Sequence, residues 1–178
     1  MISTFIIAAV TADGFIAQDE NHAAMWTSKE DKKRFVELTK RAGVVVMGSR
    51  TFRTLPRPLR ERLNVVYTRS VAFAEQIKGQ ENIMVTQDDP HTLLQKLEEQ
   101  GLKEVAICGG SHIYTSFMKA RVVNKIYLTV EPIIFGKGIT LFTETLPHTH
   151  LELISKEATE SGTLLLEYKV NYHGNGTV

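Results

Sequence analysis

The chain contains one cysteine, Cys108, so no disulfide can form within it and its stability has to come from a packed core. That usage fits a reducing compartment, and a cytoplasmic protein is the expectation. Long apolar runs are missing as well, since none approaches the roughly 18 residues that a membrane-spanning helix needs. The N-terminal stretch ISTFIIAAV is apolar but carries no basic leader. An excess of one charge is also absent: 21 Lys and Arg against 20 Asp and Glu leave a formal net charge of +1. With its cations scattered, the chain presents no stripe for a polyanion, and nucleic acid is not an expected partner. The histidines at 22, 91, 112, 148, 150 and 173 lack metal-ligand spacing apart from His148-x-His150, so no metal is expected. Neither a G-x-S-x-G elbow, nor a Walker pattern, nor G-x-G-x-x-G occurs. Cys108 therefore reads as a small buried hydrophobe at a strand end.

What remains is an ordinary globular composition, 43% hydrophobic and 23% charged over 178 residues. One domain is expected over residues 1–173, with residues 174–178 as a frayed tail. Ile2 to Val10 is a continuous apolar run of the kind buried on both faces of a sheet. Val44 to Met47, Leu63 to Thr68, Asn82 to Thr86 and Val105 to Cys108 predict further strands. Helices are predicted between them, over Lys29 to Ala42, from Ser49, over Phe73 to Lys78, from Asp89-Pro90 to Gln100, and over Ser111 to Lys119. After Lys119 the pattern changes. Lys125 to Glu131, Leu151 to Ala158 and Thr163 to Tyr172 read as strands with no helix between them. The expected fold is α/β, a central mostly parallel sheet flanked by helices with an antiparallel C-terminal edge. Gln18 to Met25 has no apolar period and reads as a loop placed to cover a cleft.

The stretch WTSKEDKKRF, Trp26 to Phe35, carries an acid in an unexpected place. Steps of three and four from Asp31 give Phe35, Leu38 and Ala42, so Asp31 heads the apolar stripe of its helix. Lys29, Glu30, Lys33, Arg34, Glu37, Lys40 and Arg41 form the opposite, solvated face. A buried carboxylate is costly without a partner, and a basic heterocycle in a cleft would supply one. Equally, Ser28 and Asp31 have the spacing of a capping box, which needs no ligand. Trp26 fits a core anchor or a cleft wall. Two strand ends run into helix starts through small residues: Met47-Gly48-Ser49-Arg50-Thr51 and Cys108-Gly109-Gly110-Ser111. Free amides and a helix dipole there suit phosphate, and two such ends on one sheet suit a pyrophosphate. Arg69 lies at another strand end, where it meets either a ribose phosphate or solvent. Arg57, Arg60 and Arg62 each offer a fork for a carboxylate, and spacing does not choose among them.

Taken in order, AAVTADGFIA, W-x4-D-x3-F, VVVMGSRTF, RPLRERLNVVYTR, ICGGSHIY and IYLTVE resemble dihydrofolate reductase over roughly Ile2 to Phe142. The resemblance implies reduction of dihydrofolate by hydride from NADPH. Asp31 would hold the pterin and assist protonation of N5. Ile7, Trp26, Phe35, Leu55 and Thr129 would complete the substrate pocket, and Arg62 would fork onto the glutamyl α-carboxylate. Ala9 and Ile16 would edge the nicotinamide. Gly48, Ser49, Arg50, Thr51, Thr68 and Arg69 would hold phosphates. Cys108, Gly109, Gly110, Ser111, His112, Ile113 and Tyr114 would line the pyrophosphate and nicotinamide side. The segment VEPIIFGKGITLF departs from that family, and with WTSKEDKKRF it resembles the reductase domain of riboflavin biosynthesis. That relative implies a ribosylaminopyrimidine phosphate as substrate, with NADPH again as cofactor. A nucleotide-binding module without catalysis is the non-enzymatic alternative. Monomer and homodimer both remain open.

Overall fold

The structure, a computed structural model, describes residues 2–172. The expected tail at 174–178 lies outside the described residues. Ten strands and five α-helices alternate as β1 (Ser3–Thr11), β2 (Phe15–Ala17), α1 (Lys29–Ala42), β3 (Val44–Gly48), α2 (Ser49–Thr54), β4 (Leu63–Tyr67), α3 (Val71–Ile77), β5 (Ile83–Thr86), α4 (Pro90–Glu99), β6 (Glu104–Gly109), α5 (Ser111–Lys119), β7 (Lys125–Glu131), β8 (Ile139–Thr140), β9 (His150–Ala158) and β10 (Leu164–Asn171). A 3₁₀ turn spans Ala24–Trp26.

Eight strands form one sheet in the order β5-β4-β3-β6-β1-β7-β10-β9. From β5 to β7 every neighbour is parallel, while β10 runs antiparallel to both β7 and β9. The fold class is therefore the expected one. Its centre holds the continuous apolar runs: Ile6, Val44, Val45, Val46, Val65, Val66 and Ile107 are all wholly buried. Helices cover both faces. On one, Leu93, Leu97, Phe117 and Met118 of α4 and α5 pack on Ile6, Val46 and Ile107. On the other, Phe35, Leu38 and Ala42 of α1, with Phe52 and Phe73, pack on Phe5, Ile7, Val45 and Met47. Because β6 inserts between β3 and β1, helices leave adjacent strand ends toward opposite faces. That switch leaves a crevice beyond the carboxyl ends of β1, β3 and β6.

Local chemistry sets the ends of α1. Ser28 Oγ accepts from the Asp31 amide at 3.1 Å, and Gly43, at φ 72°, closes the helix by donating to Thr39 and Lys40 carbonyls. Arg34 does not belong to a solvated face as its helical phase predicts. It is half-buried, donates to the Leu166 carbonyl at 2.8 Å and sits 5.2 Å from the Tyr127 ring centroid. Carbonyls of the sheet and an aromatic face outcompete water there. The edge strand β9 is exposed throughout, and a register shift opposite Glu167 and Tyr168 interrupts its pairing with β10.

Several loops are held by carboxylates. Asp13 accepts from the Thr11 hydroxyl and from the Phe135 and Gly136 amides, and these bonds hold its carboxyl below the ordinary value of 3.8. Asp88, bonded by Lys96 and Thr86, and Asp89, the cap of α4, are lowered in the same way. A lowered folded-state value stabilises the native protein above the unfolded value and stops doing so as pH falls through the folded one. Thermal melts are therefore expected to be flat with respect to these groups at neutral pH and to drop below about pH 4.

Candidate active site

The strand ends open on a cleft of about 1030 Å³. One part of it is walled by Ile7 of β1, Trp26, and Asp31 and Phe35 of α1. Asp31 is only 9% exposed. Its backbone takes part in the helix cap, but its carboxylate does not. The amide of Ser28, which a capping box would give to Asp31, instead donates to Glu131 Oε1 at 2.7 Å. Among the described residues, no hydrogen bond or ion pair reaches the Asp31 carboxylate. The cap and the inward acid are thus both real, and they use different atoms of Asp31.

The rest of the cleft is built from the two glycine-bearing strand ends. At α5 the N-cap is Gly110, and no side chain caps the helix, so the amides of Ser111 and His112 face outward without a side-chain acceptor. The two ends fit closely together. A Cβ on Gly110 would stand 3.3 Å from Thr51 Oγ1, and one on Gly48 would stand 3.4 Å from Ile113 Cγ1. Gly109 has φ 109° and approaches the Tyr114 ring, whose buried hydroxyl donates to the Ile7 carbonyl at 2.8 Å. Burial pushes the Tyr114 hydroxyl well up, so it stays a donor. Burial likewise pushes the Cys108 thiol up, which makes it a poor nucleophile.

Among the described residues, two buried side-chain donors lack a protein partner, Trp26 Nε1 and the Tyr67 hydroxyl, and both belong to cleft-lining residues. Trp26 stands beside α1, packed edge-on to Phe135 at 5.1 Å. Tyr67 ends β4, next to Thr68 and Arg69. An unsatisfied buried hydroxyl is costly, so Tyr67→Phe is expected to stabilise the ligand-free protein by about 1 kcal/mol, read as a higher melting temperature. The uncapped helix start, the glycine surface free of Cβ atoms, the Arg50 and Arg69 guanidinium groups and this hydroxyl suit a phosphorylated dinucleotide. Among the described residues, no group of three or more His, Cys, Asp or Glu could hold a metal ion.

Most residues singled out in the sequence line this one cleft: Ile7, Trp26, Asp31 and Phe35 for substrate, and Ala9, Ile16, Gly48, Ser49, Arg50, Thr51, Thr68, Arg69, Cys108, Gly109, Gly110, Ser111, His112, Ile113 and Tyr114 for cofactor. Leu55, Arg62 and Thr129 are not among its lining. Arg62 is 7% exposed, and its guanidinium is turned inward, donating to Thr39 Oγ1 at 2.6 Å and to the Arg60 carbonyl at 2.9 Å. Thr129 is buried in the sheet, opposite Ala9 on β1 and Leu165 on β10. The structure adds lining residues that sequence reasoning missed. Tyr67 stands directly before Thr68, but a strand tyrosine signals nothing by itself. Glu20, in the cover loop, forms an ion pair with Arg50, and no periodicity marks it.

Fold and cleft are those of the class that includes dihydrofolate reductase and the RibD reductase domains. The RibD C-terminal domain model matches residues 4–165, and the chain belongs to that family. The Bacillus subtilis YyaP protein, itself uncharacterized, is 22% identical over 94% of this chain and 93% of its own. Drosophila melanogaster dihydrofolate reductase is 31% identical over 58% of this chain and 60% of its own. A solved Shewanella protein described as a putative riboflavin biosynthesis protein superposes with a TM-score of 0.81 at 20% identity, covering 96% of this chain and 99% of that one. A Thermotoga maritima diaminohydroxyphosphoribosylaminopyrimidine deaminase/5-amino-6-(5-phosphoribosylamino)uracil reductase gives 0.75 at 17% identity, covering 94% of this chain and 56% of that one.

Proposed function

We propose that the cleft binds a pyrimidine bearing a phosphoribosylamino group, of the riboflavin-pathway type, and reduces that group with NADPH as the reductant. The observation that carries the reading is the Asp31 carboxylate, set in an apolar wall with no hydrogen-bond or ion-pair partner among the described residues and facing the same cleft as the glycine surface. A nucleotide-binding module would gain nothing from such an acid, whereas a substrate with N–H donors would pair with it when the cleft is filled. Ring and exocyclic N–H groups of a pyrimidine are suitable donors.

When bound, NADPH supplies a hydride. The protein's work is to hold, align and shield. Amides at the start of α5, with Thr51, Arg50 and Arg69, hold the phosphates. Tyr114 braces the Ile7 carbonyl, and with it the β1 wall of the cleft. Asp31 and Trp26 would orient the pyrimidine so that C1′ of the ring-opened phosphoribosylimine faces the reductant; hydride at C1′ and a proton at the exocyclic nitrogen then turn the C=N bond into C–N. Asp31 would favour that protonation by stabilising positive charge on the iminium nitrogen and the pyrimidine joined to it.

Arg62 separates the two candidate substrates. A folate needs a fork for its glutamyl carboxylate, whereas this guanidinium is already engaged by Thr39 and the Arg60 carbonyl. That supports the pyrimidine phosphate. Dihydrofolate is the second reading, supported by the curated reductase relatives and by the pairing of Asp31 with Trp26 and Phe35. The test is NADPH oxidation with each substrate in turn. The pyrimidine reading expects turnover with 5-amino-6-(phosphoribosylamino)uracil and little with dihydrofolate; the reverse ranking would reject it.

The cover loop affects cofactor entry. Because Glu20 holds Arg50, a cofactor phosphate has to displace a carboxylate. Exposed pairs of this kind are worth up to about 1 kcal/mol, so Glu20→Gln is expected to tighten NADPH binding by up to about fivefold. Fluorescence titration of the nicotinamide would measure it, with the gain shrinking as salt is added.

A further inference from the structure

We infer that Glu131 is a positioning residue for Asp31, one that keeps the active-site carboxylate free by taking over its place in the helix cap. The inference rests on the reading of Asp31 as the group that meets substrate. Ser28 and Asp31 carry the sequence of a capping box, in which the side chain at Asp31 would turn back to the Ser28 amide. Had it done so, the carboxylate would be spent on its own backbone and directed along α1, away from the cleft. Instead Glu131, at the end of β7, fills that position.

The geometry is complete on both sides. Glu131 is 3% exposed. Its Oε1 accepts from the Ser28 amide at 2.7 Å, and its Oε2 accepts from the hydroxyl of Thr163, itself wholly buried, at 2.7 Å. Thr163 closes the turn between β9 and β10, where its amide donates to Thr159 Oγ1 at 3.1 Å. One carboxylate thus fastens the first turn of α1 to the end of β7 and to the β9–β10 turn. A substrate pressing on Asp31 pushes on a helix start anchored at two points. Glu131 is not among the residues that line the cleft, so its effect passes through Ser28 and Asp31.

Reach, rather than charge, is the property that matters, and two variants separate them. Glu131→Gln keeps an oxygen at the same reach and is expected to retain kcat/KM within about twofold. Glu131→Asp keeps the charge but falls short of the Ser28 amide, which then recruits Asp31. A small misplacement of a reacting group costs up to about 100-fold, and kcat/KM is expected to drop between about 10- and 100-fold with the Kd for NADPH unchanged. A second-site change completes the test. Ser28 has φ −63° and Thr27 is extended, so proline fits at 28 and removes the competing amide. Ser28→Pro in the Glu131→Asp background is expected to restore much of kcat/KM, because no N–H remains to capture Asp31, while lowering the melting temperature through loss of the Ser28 Oγ cap. A merely structural Glu131 would give lowered melting temperatures with wild-type kcat/KM in Glu131→Asp, and that outcome overturns the inference. So does a ligand-free crystal structure of Glu131→Asp in which the Asp31 carboxylate lies beyond hydrogen-bond distance of the Ser28 amide. The structural readout needs no turnover. If the wild type oxidises NADPH with neither substrate, the reductase reading falls while this arrangement is still decided.

Discussion

Asp31→Asn is expected to lower kcat by about 100-fold or more at neutral pH while leaving NADPH binding nearly intact. The asparagine is the same size and stays in the same apolar wall beside Phe35 and Trp26, so packing is preserved. What it loses is negative charge. With that charge gone, the exocyclic nitrogen must take its proton without a counter-ion, and the amide's own N–H groups oppose those of the substrate. The loss should fall on kcat and kcat/KM together, because the charge matters most when positive charge develops on the iminium nitrogen. As the Asp31 backbone amide makes the cap to Ser28 and the side chain does not, α1 should remain formed in the variant. Steady-state kinetics with a separate cofactor titration reads both halves. Unchanged kcat in a variant that binds cofactor normally would remove Asp31 from the chemistry.

Gly109→Ala is expected to have the second large effect, on the other side of the cleft. At φ 109° the backbone of Gly109 lies where a side chain is strained whatever the space around it. Space is lacking too: a Cβ would stand 3.0 Å from the Tyr114 hydroxyl and 3.1 Å from its ring carbon Cζ. Tyr114 cannot yield freely, because it is buried and its hydroxyl holds the Ile7 carbonyl. Relief has to come from the junction of β6 and α5, which is the surface proposed for the cofactor. The expected cost is about 2–4 kcal/mol of stability together with a loss of NADPH affinity of about 100-fold. Denaturant unfolding and a cofactor titration measure the two separately. Gly43→Ala is a control for backbone strain alone, since Gly43 has φ 72° but nothing within 4 Å of a Cβ. It should lose stability and keep cofactor affinity.

The sheet was legible because its central strands, such as Val44 to Met47 and Val105 to Cys108, are buried on both faces and so read as unbroken apolar runs. The helix starts were legible from their caps, Ser28 for α1 and Asp89-Pro90 for α4. Long-range pairing was not. Nothing local says that β6 lies between β3 and β1, or that the two residues of β8 pair with β2.

The same divide runs through the site. Asp31 stood out because its helical phase contradicts its polarity. Gly109 and Gly110 stood out because they bridge a strand and a helix. Arg62 was a matter of family resemblance, and three nearby arginines gave no physical means of choosing. Its inward turn depends on Thr39, 23 residues away, and a pairing at that distance leaves no trace in the spacing. Glu131 was visible as the last residue of IYLTVE, yet its partner Ser28 is 103 residues earlier. Arg34 misled for the opposite reason. Its phase on the helix is that of solvent, and only the sheet edge beneath it shows why the guanidinium turns inward.

The account stands or falls on one assay, the oxidation of NADPH by the unmodified protein supplied with 5-amino-6-(phosphoribosylamino)uracil and, in parallel, with dihydrofolate. The account predicts steady turnover with the pyrimidine phosphate, abolished in Asp31→Asn. NADPH bound tightly but oxidised with neither substrate would contradict it and leave the cleft as a site for nucleotide alone.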